Sequence, residues 1–169
     1  RVSGPAPAMD GGRFGPCRQA YRLDFTKLAT PGDYIIVANG QASPGVRIAA
    51  DVYRGAADTL LLYMRHQRSG FNPLFRHSVH RQDGLLVDHP TRSGEFIPVS
   101  GGWADAADYL QYVTTSANAA FVMLMAARDY PNATGDSYLA NGLPGSNAVG
   151  DMLDEARHGL EWLLRMFPE

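Results

Sequence analysis

The period of the hydrophobic residues changes once along the chain, near residue 50, and this change restricts the fold more than any other feature. Before it come short extended runs. Tyr21-Arg-Leu-Asp-Phe25 alternates apolar and polar residues. Asp33-Tyr-Ile-Ile-Val37 is β-branched and follows a Pro31-Gly32 turn signal, and Val46-Arg-Ile48 follows Ser43-Pro-Gly45. Closely spaced strands with Gly/Pro turns predict part of a β-sandwich. Three strands leave open edges, so further strands are expected upstream. Residues 1–20 are rich in Gly, Pro and Ala without a period and read as loop.

After residue 50 the step becomes three and four. Val52, Tyr53, Ala56, Ala57, Leu60, Leu61 and Met64 predict a helix over about 51–66. Residues 67–102 form a long Gly/Pro-punctuated loop, of the kind that is usually functional or tied down elsewhere. A second helix is expected over about 106–128, with Leu110, Val113, Ala117, Phe121, Leu124 and Met125 on one face and Pro131 ending it. A third, over about 151–166, puts Met152, Leu153, Ala156, Leu160, Leu163 and Leu164 on a stripe, with Asp151 near its start. Strands followed by helices mean two domains or an α+β arrangement, not alternating βαβ units. The three helices carry more apolar surface than they can bury among themselves, which predicts a larger helical layer.

Charge and cysteine content narrow the function classes. Fifteen basic and seventeen acidic residues give a net charge of −2, so nothing calls for nucleic acid or an anionic membrane. No apolar run approaches the ~18–20 residues of a membrane span. Cys17 is the single cysteine, which excludes an internal disulfide or a multi-cysteine metal cage. The start, Arg1-Val-Ser-Gly-Pro-Ala-Pro-Ala8, has no apolar stretch of signal-peptide type.

Chemistry concentrates in Ser100-Gly-Gly-Trp-Ala-Asp-Ala-Ala-Asp-Tyr109. Two aspartates three residues apart, at an expected helix start, would lie on one face and share one space. Free amides and the helix dipole favour their ionised forms, while mutual repulsion and desolvation oppose this. Such a pair can hold and deprotonate a water. The plainer alternative is that Asp105 caps the helix and Asp108 is a solvated first-turn acid.

The segment resembles glycoside hydrolase family 9, whose members carry Gly-Gly-Trp-(His/Tyr)-Asp-Ala-Gly/Ser-Asp-Tyr. The likeness continues through Leu110-Gln-Tyr-Val-Thr-Thr-Ser-Ala-Asn118 and through Asp151-Met-Leu-Asp-Glu-Ala-Arg-His-Gly-Leu-Glu-Trp-Leu-Leu-Arg-Met166. Tyr63-Met-Arg-His-Gln-Arg-Ser-Gly70 is similar to the family's first barrel helix, and Tyr21–Leu28 to a late strand of the immunoglobulin-like domain that precedes many such enzymes. The resemblance implies an interior fragment. Residues 1–50 would close an Ig-like β-sandwich, and 51–169 would supply the first helices of an (α/α)6 six-hairpin barrel.

The implied function is inverting hydrolysis of β-1,4-glucosidic bonds in cellulose or a related β-glucan, by a secreted or periplasmic enzyme. Asp108 would be the general base and Asp105 would position the water, with Trp103 and Tyr109 as candidate sugar-binding residues. The general acid, a distant Glu, would lie outside this chain. The partners implied are a β-glucan polysaccharide or oligosaccharide and the remainder of the same polypeptide, which must complete the barrel.

Two departures stand out. Ala104 and Ala107 replace the usual His/Tyr and Gly/Ser. Some members hold zinc through Arg-Cys-Gly and Cys-His, where this chain has Arg68-Ser69-Gly70 and Val79-His80, so the zinc site is expected to be absent. Calcium finds no support in this segment. His77, His80 and His89 with Asp83 and Asp88 match no standard metal spacing. The competing interpretations are a non-catalytic carbohydrate-binding or structural remnant of such an enzyme, or an unrelated α+β protein.

Overall fold

The computed structural model describes residues 8–167. The chain divides into two compact units between Val52 and Tyr53.

The first unit holds two antiparallel hairpins. Strands β1 (Ala8–Phe14) and β2 (Cys17–Leu23) pair with each other, as do β3 (Gly32–Ala38) and β4 (Gln41–Ile48). The expectation that residues 1–20 form a loop is therefore corrected over residues 8–20, and its part over residues 1–7 lies outside the described residues. Two register shifts in β1, around Gly12 with its φ of 67°, break the alternation that would have marked a strand. The β3–β4 hairpin turns at Asn39-Gly40, both at positive φ (47° and 75°), as a tight two-residue connection requires. Its own bulge lies between Ile35 and Val37, and there the Ser43 hydroxyl oxygen accepts the Ile36 N–H at 3.0 Å. The two hairpins form separate two-stranded sheets, and no β-sandwich assembles among the described residues.

The second unit is built on three helices: α1 (Ala56–His66), α2 (Val113–Asp129) and α3 (Asp151–Arg165). Helix α1 starts five residues later than its apolar period suggests, because Gly55 enters it in the left-handed region at φ 78°. Between α1 and α2 lies one more small hairpin, β5 (Gly70–Asn72) with β6 (His77–Val79). Buried Asn72 organises it. Its amide donates to the carbonyls of His66 (3.1 Å) and Arg68 (3.0 Å) at the end of α1, and its side-chain oxygen accepts the Leu74 and Phe75 N–H groups.

The core gathers Leu61, Trp103, Ala120, Met123, Met152 and Ala156, flanked by Ala119, Ala126 and Ala127 of α2. The expected α2 face is thus corrected. The buried side is small-residued (Ser116, Ala120, Met123), while Phe121 and Leu124 are exposed. Small side chains let α2 approach α3 closely. On α3 the buried stripe is also rotated, and it includes Asp151, Asp154, Glu155, Gly159 and Trp162, whereas Leu153, Leu160 and Leu164 are exposed.

Buried carboxylates need partners, and these have them. Glu155 is completely buried. It accepts two parallel bonds from Arg68, Nε to Oε1 at 3.0 Å and Nη2 to Oε2 at 2.9 Å, and a third from Trp103 Nε1 at 2.8 Å. Arg65, also buried, lies 3.6 Å from Glu155 and 3.8 Å from Asp151, with its guanidinium 3.9 Å above the Tyr138 ring. Asp151 accepts the Ser137 and Tyr138 N–H groups, and Asp154 accepts the Asn147 amide. Asp136 is held below the usual carboxylate range by the Ser146 hydroxyl and then by the amides of Asn147 and Ala148.

Removing the Glu155 charge leaves two buried guanidinium groups without their shared counter-ion. Glu155→Gln should lower stability by about 3–5 kcal/mol, the usual consequence of halving a buried pair. Urea unfolding of the full polypeptide at neutral pH measures this. A loss below ~1 kcal/mol, the scale of a surface pair, would show that the network is not holding the helices together.

Candidate active site

Gly101 and Gly102 bring the chain under α3 in a conformation other residues rarely adopt, at φ 136° and 69°. A Cβ on Gly102 would lie 2.6 Å from the Trp162 ring, so the close approach as well as the backbone requires glycine. The following residues pair with the end of α1. Ser69 N–H donates to the Gly102 carbonyl at 2.9 Å and Ala104 N–H to the Gln67 carbonyl at 2.8 Å, with Arg68 and Trp103 facing each other across the bridge. Trp103 then turns inward. It is 4% exposed, its N–H is bonded to Glu155, and a Cβ on Gly159 would meet its ring at 2.2 Å. The candidate role of Trp103 as a sugar platform is therefore corrected: the ring offers no face to a ligand and anchors the motif instead.

The aspartates sit where sequence reasoning placed them but not in the expected helix. Helix α2 begins at Val113, so Asp105 and Asp108 lie in a loop before it. The backbone explains why. A helix through Ala106 would send the Leu110 N–H to the Ala106 carbonyl, but this N–H goes to Asp108 Oδ1 at 3.2 Å. The Ala106 carbonyl takes the Tyr109 N–H instead, at 3.2 Å, and the Asp105 N–H closes the turn on the Leu110 carbonyl at 2.8 Å. Tyr109 is left-handed at φ 61°. Gln111 ties the loop shut, its amide donating to the Gly101 carbonyl at 2.6 Å. The one-face helix geometry and the dipole stabilisation expected for the pair do not apply. Both carboxylates are exposed, on one short pinned turn.

Tyr109 is also exposed, at 61%, and its ring stacks on His80 with centroids 4.7 Å apart and planes 29° apart. Of the other loop histidines, His77 contacts the Phe75 carbonyl, and His89 Nδ1 accepts the Thr91 and Arg92 N–H groups. Among the described residues no three His, Cys, Asp or Glu side chains gather where a metal could bind. Tyr112 is exposed and Trp162 is buried.

His158 supports the double glycine from α3, with Nε2 2.9 Å from the Gly102 carbonyl. A carbonyl only accepts, so Nε2 carries the proton. Burial, reinforced by the Arg68 charge, pushes the imidazole down to about 4. The unfolded chain, near the ordinary value of 6.5, then binds more protons than the folded one between these limits. Stability should fall as pH drops from about 6.5 to about 4, by about 3 kcal/mol in all from this residue. Urea titrations of the full polypeptide across this range, followed by tryptophan fluorescence, should show a smaller fall in His158→Gln, which keeps a donor and cannot charge. Equal slopes would remove the assignment.

The profile of Glycosyl hydrolase family 9 matches residues 53–169. The chain is 29% identical over 156 residues to a xyloglucan-specific endo-beta-1,4-glucanase of Bacteroides ovatus, covering 85% of this chain and 26% of that protein. It is 30% identical over 170 residues to Endoglucanase C of Cellulomonas fimi, covering 85% and 15%. Among solved structures, a metagenome-derived glycoside hydrolase family 9 endoglucanase superposes with a TM-score of 0.72 at 41% identity, over 89% of this chain and 29% of that one. The chain thus spans about a quarter or less of these curated relatives and under a third of the solved structure. The profile covers the whole helical unit, including the double glycine, the buried tryptophan and the aspartate loop, and on this basis the chain belongs to glycosyl hydrolase family 9.

Proposed function

We propose that this chain supplies the base half of an inverting β-1,4-glucan hydrolase. The observation that carries the proposal is the Asp105–Asp108 turn, anchored below by Trp103 and Gln111 while both carboxylates stay open to a ligand. Asp108 would take the proton from a water as that water attacks the anomeric carbon, and Asp105 would help hold the water. A second carboxyl, roughly 6.5–9.5 Å away across the scissile bond, must protonate the leaving oxygen. Glu155 is sealed in the core and cannot do so. The acid therefore belongs to the remainder of the full polypeptide, which would also cover the exposed apolar faces of α2 and α3.

The substrate class follows from the family and from relatives named for endo-β-1,4-glucanase, endoglucanase and cellodextrinase activity. Polysaccharides of this kind lie outside cells, which supports secretion or a periplasmic place. No described helix is long and apolar enough to cross a membrane.

We assign no zinc to the loop around Ser69 and His80. Its donors are a buried hydroxyl and one imidazole already stacked on Tyr109, with Val79 offering none, and this set does not fit a tetrahedral N/S site.

Asp108→Asn in the full polypeptide should reduce kcat on a soluble cellulose derivative by about 10²–10⁴-fold, the usual weight of a general base. Asp105→Asn should reduce it less. Undiminished turnover in Asp108→Asn would remove the base assignment. Binding without turnover in the unaltered polypeptide would favour a non-catalytic carbohydrate-binding remnant.

A further inference from the structure

We infer that His80 is a positioning residue: it backs the Tyr109 ring so that the opposite face of that ring can receive a pyranose of the glucan chain beside Asp105 and Asp108. The inference rests on the proposed glycan-facing role of the aspartate loop and adds to it a residue outside the motif. His80 follows the β5–β6 hairpin, some thirty positions before Tyr109, yet the two rings stack at 4.7 Å. Both residues are in the left-handed region, His80 at φ 49° and Tyr109 at φ 61°. Two uncommon backbone conformations thus meet at one contact, and each directs a ring to it.

The stack covers one face of Tyr109. At 61% exposure the ring still has wide access to solvent. An aromatic face open on one side and fixed on the other suits the apolar C–H face of a sugar ring, because its orientation is set before the ligand arrives. A free tyrosine at the tip of an exposed turn would have to be ordered on binding. On the His80 side of the stack, His80, Arg81, Gln82 and Asp83 line an open hollow of about 530 Å³, whose side chains are donors and acceptors of the kind that sugar hydroxyls pair with.

The test compares His80→Ala, His80→Phe, Tyr109→Ala and the His80→Ala/Tyr109→Ala pair in the full polypeptide, with a soluble cello-oligosaccharide as probe. His80→Ala should raise KM about three- to tenfold, the equivalent of one aromatic contact, with kcat nearly unchanged. His80→Phe, which can still stack, should return KM close to the original value. The double variant should be no worse than Tyr109→Ala, since both remove the same platform. Calorimetric binding of the same oligosaccharide in the Asp108→Asn background should show the same ratios without turnover.

Additive effects in the pair, an unchanged KM and Kd in His80→Ala, or a phenylalanine variant as impaired as the alanine one would each overturn the inference. The two levels fail separately. Full activity in Asp108→Asn together with the His80 pattern would sink the base assignment and leave the platform standing. Loss of activity in Asp108→Asn with no His80 effect would do the reverse.

Discussion

The Glu155 carboxylate is the point on which the helical unit depends. It is fully buried, and the end of α1, the double-glycine motif and α3 meet at it through Arg68 and Trp103. Burying a carboxylate and two guanidinium groups carries a large desolvation cost, so such a cluster is a poor source of net stability compared with apolar packing. Its value is geometric. A bidentate Arg–carboxylate pair fixes direction as well as distance, and the indole N–H uses further acceptor capacity on Oε1. Trp103 cannot rotate without breaking that bond, so the loop beginning two residues later is held at its root.

This anchoring divides the motif into two parts with opposite environments. Gly101 to Ala104 are buried and Asp105 to Leu110 are exposed, although they are contiguous. The first part is shaped by close contact, since Trp162 and His158 press on Gly102 and Gly159 makes room for the Trp103 ring. The second part satisfies its own backbone within the turn, through the Asp105–Leu110, Ala106–Tyr109 and Asp108–Leu110 bonds. The turn is thus closed by its own bonds while both aspartates stay exposed. A helix at this position would also have bonded its own backbone, but its second turn would have carried Tyr109 and Leu110 along a regular surface instead of folding them back.

The change of period near residue 50, the extent of α3 and the identity of the motif were legible in the sequence, because each rests on local periodicity or on a contiguous pattern, whereas the β5–β6 hairpin between α1 and α2 was read as loop. What was not legible depended on long-range partners. Asp151, Asp154 and Glu155 look like the solvated start of an amphipathic helix until Arg65, Arg68, Trp103 and Asn147 are brought to them. The stripe chosen for α2 followed the largest apolar residues, whereas helix packing here selected the smallest. The β1 strand was hidden by glycine bulges. Asn39-Gly40, which joins β3 to β4, was a local hairpin signal that the turn signals chosen at Pro31-Gly32 and Ser43-Pro-Gly45 passed over. The aspartate pair lies in a loop before α2, and its expected helical setting was inferred from spacing alone. Spacing of three is equally compatible with a turn in which the second aspartate takes its own loop's N–H.

The left-handed conformation of Tyr109 connects these points. A tyrosine there is strained by of order 1–3 kcal/mol, and such strain persists only where the surroundings over-determine it. Here they do so from three directions. Asp108 Oδ1 takes the next N–H, Gln111 closes the loop on Gly101, and His80 lies against the ring. None of these contacts belongs to the core cluster. Glycine or asparagine would relieve the strain at this position and lose only the stack on His80. Instead the chain carries an exposed, strained and externally supported aromatic beside two open carboxylates, an arrangement that suits the glucan ligand proposed for this surface.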